Sequence, residues 1–215
     1  MNYKNENQEY SEGLEFVSNG DGTCSVFGIG TCTDTDVKIP PVYNEEKVMR
    51  IGALAFTYCS SLTSVTIPDS VTSIGSFAFD GCEGLTSVTI PDSVTRIGEA
   101  AFSHCTNLTS VTIPDSVEEI GDGAFTSCKS LVDITIPDSV ERIGYSAFSY
   151  CTNLTNITLP KSVSVTSINN SCFSRDTILV DITLPEGVIG IRKHVLKNCP
   201  NLKNIAARNS VALAL

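Results

Sequence analysis

Histidine occurs only twice in this chain, at His104 and His194. The long stretch between them leaves no pair of imidazoles to share a proton-transfer task. No serine or cysteine has a neighbouring base at a spacing that would activate it, and no glycine-rich phosphate loop occurs, so catalysis is not expected. Basic residues are also scarce, with 14 Lys and Arg against 24 Asp and Glu and a net charge of −10. No dense Lys/Arg run offsets that balance, which argues against nucleic acid and anionic membranes as partners. No run of 18 or more apolar residues is present, so membrane insertion of a helix is not expected. The opening, MNYKNENQEYSEG, is polar and acidic and lacks the basic-then-apolar pattern of a secretory signal. The expectation is a cytoplasmic chain, or an exported one whose signal lies outside this sequence.

What the chain does have is a 23-residue unit. Leu62-Thr63-Ser64-Val65-Thr66-Ile67-Pro68-Asp69-Ser70-Val71 returns as Leu85 to Val94, Leu108 to Val117 and Leu131 to Val140. A fixed period in this range marks a repeat solenoid, because one unit cannot bury its apolar side alone and must stack on its neighbours. Within a coil, Leu62, Val65 and Ile67 face inward from a short strand, and Ser64 and Thr66 face the other way. Pro68 ends the strand, having no N–H for a ladder. Asp69 and Ser70 read as turn formers that accept backbone N–H bonds. Gly75 reads as a position of positive φ. Ser76 to Phe79 reads as a tight turn or short 3₁₀ piece that presents Ala78 and Phe79 inward, with Cys82 closing the inward set.

The same slots recur. Phe56, Phe79, Phe102, Phe125, Phe148 and Phe173 share one, followed by Leu196, and Gly52, Gly75, Gly98, Gly121 and Gly144 share another, followed by Asn169 and Arg192. The gap from Pro160 to Pro185 is longer, so Lys161 to Thr166 carries an insertion expected to bulge outward. Leu14–Val26 contains two short runs around a Gly/Asn/Asp turn, a hairpin signal. The organisation expected is a polar lead over 1–13, a β cap over 14–35, a solenoid of about seven coils over 36–207 and an apolar tail over 208–215.

The unit L-x-x-V/I-x-I-P-x-S-V-x-x-I-G-x-x-A-F-x-x-C resembles the BspA-type (Treponema pallidum-type) leucine-rich repeats of bacterial surface proteins and of trichomonad proteins. Gly28 to Asp36 is similar to the capping segment ahead of such repeats. The resemblance implies a right-handed leucine-rich-repeat array with a parallel β-sheet on its concave face and an N-terminal β-hairpin cap. It also implies adhesion or matrix binding in some members, and a cell-surface or secreted location.

Cys59, Cys82, Cys105, Cys128, Cys151 and Cys199 occupy one slot, a full coil or more apart. Zinc pairs sit two to four residues apart, and in-register side chains suit a disulfide poorly. They are expected as buried thiols, with Cys172 reading the same way and no metal or cofactor implied. Cys24 and Cys32 lie close together in the cap, where a disulfide is open to them in an oxidising compartment. Asp176 falls in the cysteine slot, with Arg175 and Arg192 as candidate partners. Asp69, Asp92, Asp115 and Asp138 form a second ladder, read as caps for the Val71-type N–H, with calcium between coils as the alternative.

Two surfaces are candidates for binding. The concave face carries Ser64, Thr66, Ser87, Thr89, Ser110, Thr112, Asp133, Thr135, Asn156 and Thr158, a flat polar stripe without the aromatic or Arg anchors of tight interfaces. A Thr row also suits a sheet for its own sake. The lateral side concentrates variety in Tyr58, His104, Tyr150 and Arg175, which share one slot, and in Phe77 and Tyr145 just after the glycine. The function expected is non-enzymatic recognition of a protein or glycan, adhesion-like, on a rigid scaffold. The rival is self-assembly: residues 1–46 carry −7, residues 47–160 carry −7 and residues 161–215 carry +4, so opposite ends allow homo-oligomers to stack head to tail.

Overall fold

The computed structural model describes residues 10–160 and, beyond them, 173–174, 179, 181–184, 199, 201 and 204–207. None of the described residues is helical, and no helix is long and apolar enough to cross a membrane. The 23-residue period becomes one coil of a solenoid, and each coil contributes three walls.

The first wall is the strand ladder expected from the Ser-Val-Thr pattern. Its eight rungs are β3 (Asp36–Lys38), β6 (Ser64–Thr66), β8 (Ser87–Thr89), β10 (Ser110–Thr112), β12 (Asp133–Thr135), β14 (Asn156–Thr158), β15 (Asp181–Leu184) and β16 (Asn204–Ala207). All pair parallel and in register, Val65 against Val88 and Val88 against Val111 for example. The ladder is not continuous, however. It divides into two four-stranded sheets, because β10 and β12 do not pair.

At that break the residue before the strand differs from those before the strands on either side. Thr86 and Thr109 each donate both N–H and hydroxyl to the threonine carbonyl one coil earlier, at 3.0–3.2 Å. Thr155 does the same to Val132. Val132 occupies this slot between them, is 44% exposed, and has no hydroxyl to give. Its N–H does not repeat the bond either. Val132→Thr is expected to close the seam, raising stability by about 1 kcal/mol. Amide exchange at Val132 to Ile134 should slow in the variant, and unchanged rates would show that the break has another origin.

The second wall was not expected. β7 (Ser73–Ile74), β9 (Arg96–Ile97), β11 (Glu119–Ile120) and β13 (Arg142–Ile143) pair parallel through each rung. At its N-terminal end this sheet continues into β5 (Glu46–Ile51), β2 (Thr23–Gly28) and β1 (Glu15–Ser18). The hairpin of β1 and β2 is thus the expected cap, attached by parallel pairing of β2 to β5. Tyr43 belongs to a second hairpin, β4 (Val42–Tyr43) against β5, turned through Asn44 (φ 48°) and Glu45 (φ 69°). Two successive positive φ values give the turn whose twist suits antiparallel strands. The polar lead is partly structural: Ser11 donates its N–H to the Lys38 carbonyl and accepts the Lys38 N–H on its hydroxyl, covering the β3 edge.

The third wall is the turn segment after each glycine. Leu54, Phe56 and Tyr58 donate N–H groups to the Ser76, Ala78 and Asp80 carbonyls of the next coil, at 2.7–3.0 Å. The residues between them, Ala55, Thr57 and Cys59, donate back within their own coil. Such alternation requires left-handed backbone at two positions per coil. These are Leu54, Phe77, Ala100, Gly123 and Ser146, then Tyr58, Gly81, His104, Ser127 and Tyr150.

The glycine slot therefore has a different cause from the one expected. None of Gly52, Gly75, Gly98, Gly121 or Gly144 has a positive φ. They are glycine because adjacent coils touch there: a Cβ on Gly121 would lie 2.6 Å from the Glu99 nitrogen and the Gly98 carbonyl carbon.

Within the walls, the phenylalanine slot forms a single stack. Phe56, Phe79, Phe102, Phe125, Phe148 and Phe173 are all buried, with successive centroids 5.1–5.7 Å apart and planes within 17°. The Asp-Ser turns also differ from expectation. Val71, Val94, Val117 and Val140 donate their N–H to the proline carbonyl three residues back, not to the aspartates. The serines donate rather than accept: Ser93, Ser116 and Ser139 bond the valine carbonyl of the preceding coil at 2.6–2.8 Å. The insertion at Lys161 to Thr166, the later slot residues Asn169, Arg192 and Leu196, and the tail over 208–215 lie outside the described residues.

Candidate functional site

The strand face carries its polar row as the alternation requires. Thr66, Ser87, Thr89, Ser110, Thr112, Asp133, Thr135, Asn156 and Thr158 are exposed, and Ser64 is half-buried. Contacts within the row are local and polar: Ser64 to Asp36, and Asn156 Nδ2 to Asp133 Oδ1 at 2.7 Å. The row offers hydroxyls and carboxylates on a flat surface and no aromatic ring.

The turn wall is chemically richer. Tyr58 is 75% exposed, Tyr145 51% and Tyr150 40%, His104 is exposed, and Phe77 is half-buried. Four of these five stand at left-handed positions: Tyr58 (φ 56°), Phe77 (φ 58°), His104 (φ 56°) and Tyr150 (φ 62°). Leu54 (φ 63°), 56% exposed, belongs with them and was missed in the sequence. The signal was its shared slot with Phe77, obscured because later coils put Ala100, Gly123 and Ser146 there. Tyr58 leans over Gly81, whose missing Cβ makes room for the ring. Arg175 lies outside the described residues, as do His194, Cys172, Asp176 and Arg192.

One arrangement contradicts the reading that no serine has a base beside it. His104 Nδ1 lies 2.8 Å from Ser103 Oγ and 3.3 Å from the buried Asp80 Oδ1. Both partners meet the same nitrogen, so the imidazole has no second nitrogen placed to pass a proton from serine to aspartate. The cluster holds the ring in place on the turn wall.

The eight described cysteines are free thiols. Cys82, Cys105, Cys128 and Cys151 each donate Sγ–H to the phenylalanine carbonyl of the preceding coil, at 3.0–3.2 Å. Burial pushes the Cys82 thiol up to about 12 and also raises the thiols of Cys105 and Cys128. Protonated thiols are poor nucleophiles and poor metal ligands. Among the described residues no group of three or more His, Cys, Asp or Glu is placed to hold a metal ion.

Stacked coils with a parallel strand ladder on one wall, a phenylalanine column inside and a cysteine closing each turn define a leucine-rich-repeat scaffold. The chain belongs to the BspA-type leucine-rich repeat family: six copies of that repeat match residues 32–155 and 98–213. It is similar to a leucine-rich repeat protein from Bacteroides ovatus, with 34% identity, a TM-score of 0.83 and 96% of this chain covered. The chain spans 55% of that protein's length. It is also similar to the Treponema pallidum leucine rich repeat protein, at 28% identity and a TM-score of 0.79, covering 91% of this chain and 90% of the other. No curated protein matches it. Family and fold make the chain a repeat scaffold of the kind used in protein interaction.

Proposed function

We propose that this chain is a non-enzymatic recognition module that binds a protein or glycan partner, in the manner of an adhesin, through the turn wall. One observation carries the reading. Left-handed backbone costs a bulky L-residue about 1–2 kcal/mol, and Gly81 and Gly123 show that glycine fits these positions. The chain nevertheless places Leu54, Tyr58, Phe77, His104 and Tyr150 there, with Tyr145 alongside. Strained positions holding exposed aromatics point to function more than to folding, and Tyr is among the residue types that anchor interfaces.

The polar strand row is then the less favoured face. Head-to-tail assembly is also disfavoured at the N-terminal end, where Ser11 occupies the edge hydrogen bonds of β3.

The test is a binding screen against immobilised matrix glycoproteins and glycans, with two variants. Tyr58→Gly/His104→Gly/Tyr150→Gly should abolish binding while stability stays within about 1 kcal/mol of the parent, since glycine relieves the backbone as it removes the rings. Thr66→Ala/Thr89→Ala/Thr112→Ala should bind normally. The reverse pattern would move the site to the strand face. A parent chain that binds nothing but forms salt-sensitive filaments would favour assembly.

A further inference from the structure

The outward row of the second sheet reads Arg50, Ser73, Arg96, Glu119, Arg142, each paired in register with the next. Along its C-terminal half the charges alternate and close. Glu119 sits between two arginines a coil away on either side, with Oε2 3.3 Å from Arg96 Nε and Oε1 bonded to Arg142 Nη1. Arg142 also reaches Asp122 at 3.7 Å. Along the N-terminal half the same frame is present without its anion. Arg50 and Arg96 stand two rungs apart, about 9.6 Å at the usual strand spacing, as Arg96 and Arg142 do, but Ser73 replaces the carboxylate between them.

No carboxylate oxygen among the described residues lies within 4.0 Å of the Arg50 guanidinium. The acidic residues facing this row are unevenly placed. Glu118 and Glu141 flank its C-terminal half, while the equivalent neighbours at the other end, Met49, Thr72 and Thr95, are uncharged. The exception is Asp21, whose carboxyl is held below its usual range first by the Thr23 hydroxyl and N–H and, more weakly, by Arg50. Asp21 belongs to the β1–β2 turn, and that turn forms a notch with Met49, Arg50 and Thr72.

We propose that the Arg50–Ser73–Arg96 frame is a docking site for a carboxylate side chain of an acidic peptide, seated over Ser73 with the peptide backbone running into the notch beside the β1–β2 turn. The argument is charge complementarity measured against an internal template, since Glu119 shows what two arginines at this spacing hold. Carboxylate–guanidinium hydrogen bonds are the strong ones, and both arginines have room to move, Arg96 being 63% exposed along its side chain. The site is on a different wall from Tyr58 and Tyr150 and stands independently of the turn-wall reading.

The test uses fluorescein-labelled hexaglutamate and fluorescence anisotropy at low ionic strength on the full chain. Binding should appear and weaken as salt is added. Arg50→Gln and Arg96→Gln should each weaken it by about tenfold or more. Ser73→Glu, which supplies the anion from within, should do the same without removing an arginine. Lys38→Gln, on the strand wall, should leave affinity unchanged. Absence of binding, unchanged affinity in Arg50→Gln or Ser73→Glu, or an equal loss in Lys38→Gln would each overturn the proposal.

Discussion

Phe102→Ala is expected to lose about 3–5 kcal/mol of stability, a large share of what a domain has. Phe102 is fully buried, with Phe79 stacked at 5.1 Å on one side and Phe125 at 5.3 Å on the other. Removing the ring therefore opens a cavity and breaks two ring contacts at once. In an array where each coil touches only its neighbours, a break in the middle weakens the coupling of both halves. Chemical denaturation followed by circular dichroism measures the loss. Thr112→Ala, two walls away on the exposed strand row, should lose less than about 1 kcal/mol. Equal losses from the two changes would mean that the faces are wrongly assigned.

Gly121→Ala should lose about 3 kcal/mol, at the upper end of ordinary overpacking. Its new methyl would sit 2.6 Å from Glu99 N and Gly98 C, both backbone atoms with no rotamer to escape into. The coils would have to separate locally, lengthening the Gly121 N–H to Ile97 carbonyl bond, now 2.9 Å. Gly123→Ala provides the contrast. Gly123 has φ +61°, and its Cβ would meet only Thr126 Oγ1 at 3.4 Å. Ala100 already occupies the equivalent place one coil earlier at φ 49°, so the cost there is about 1 kcal/mol. If Gly123→Ala proved the more damaging, backbone sign rather than coil contact would govern the glycines.

Those two glycines also mark where the sequence stopped being legible. A period of 23 residues places Phe79, Cys82 and Val88 inside by repetition alone, and their burial followed. A recurring glycine, however, fits either a positive φ or a close approach, and only the neighbouring coil distinguishes Gly121 from Gly123. The second sheet was hidden because each rung is two residues long, too short for alternation to show at Arg96–Ile97. Its arginine row was hidden with it, since register is a property of pairing and not of one coil. Val132 was invisible for the opposite reason: valine is a good strand former, and its missing hydroxyl matters only because Thr86 and Thr109 use theirs. The turn-wall candidates share a slot that is visible in the sequence, but the backbone sign that sets Tyr58 and Tyr150 apart shows only in the fold.

The cysteine column has a practical corollary. Each thiol at Cys82, Cys105, Cys128 and Cys151 is buried and hydrogen-bonded to the coil before it. An alkylating reagent can therefore reach a given sulfur only when that coil parts from its predecessor. The chain thus carries a set of position-resolved clocks, evenly spaced along its axis and requiring no added label. Reaction half-times read by peptide mass spectrometry would report local opening free energies coil by coil. A solenoid that frays from its ends would react in a graded order towards the middle, and one that cleaves at the Val132 seam would show Cys151 reacting out of turn, since its bond to the Phe125 carbonyl spans that seam.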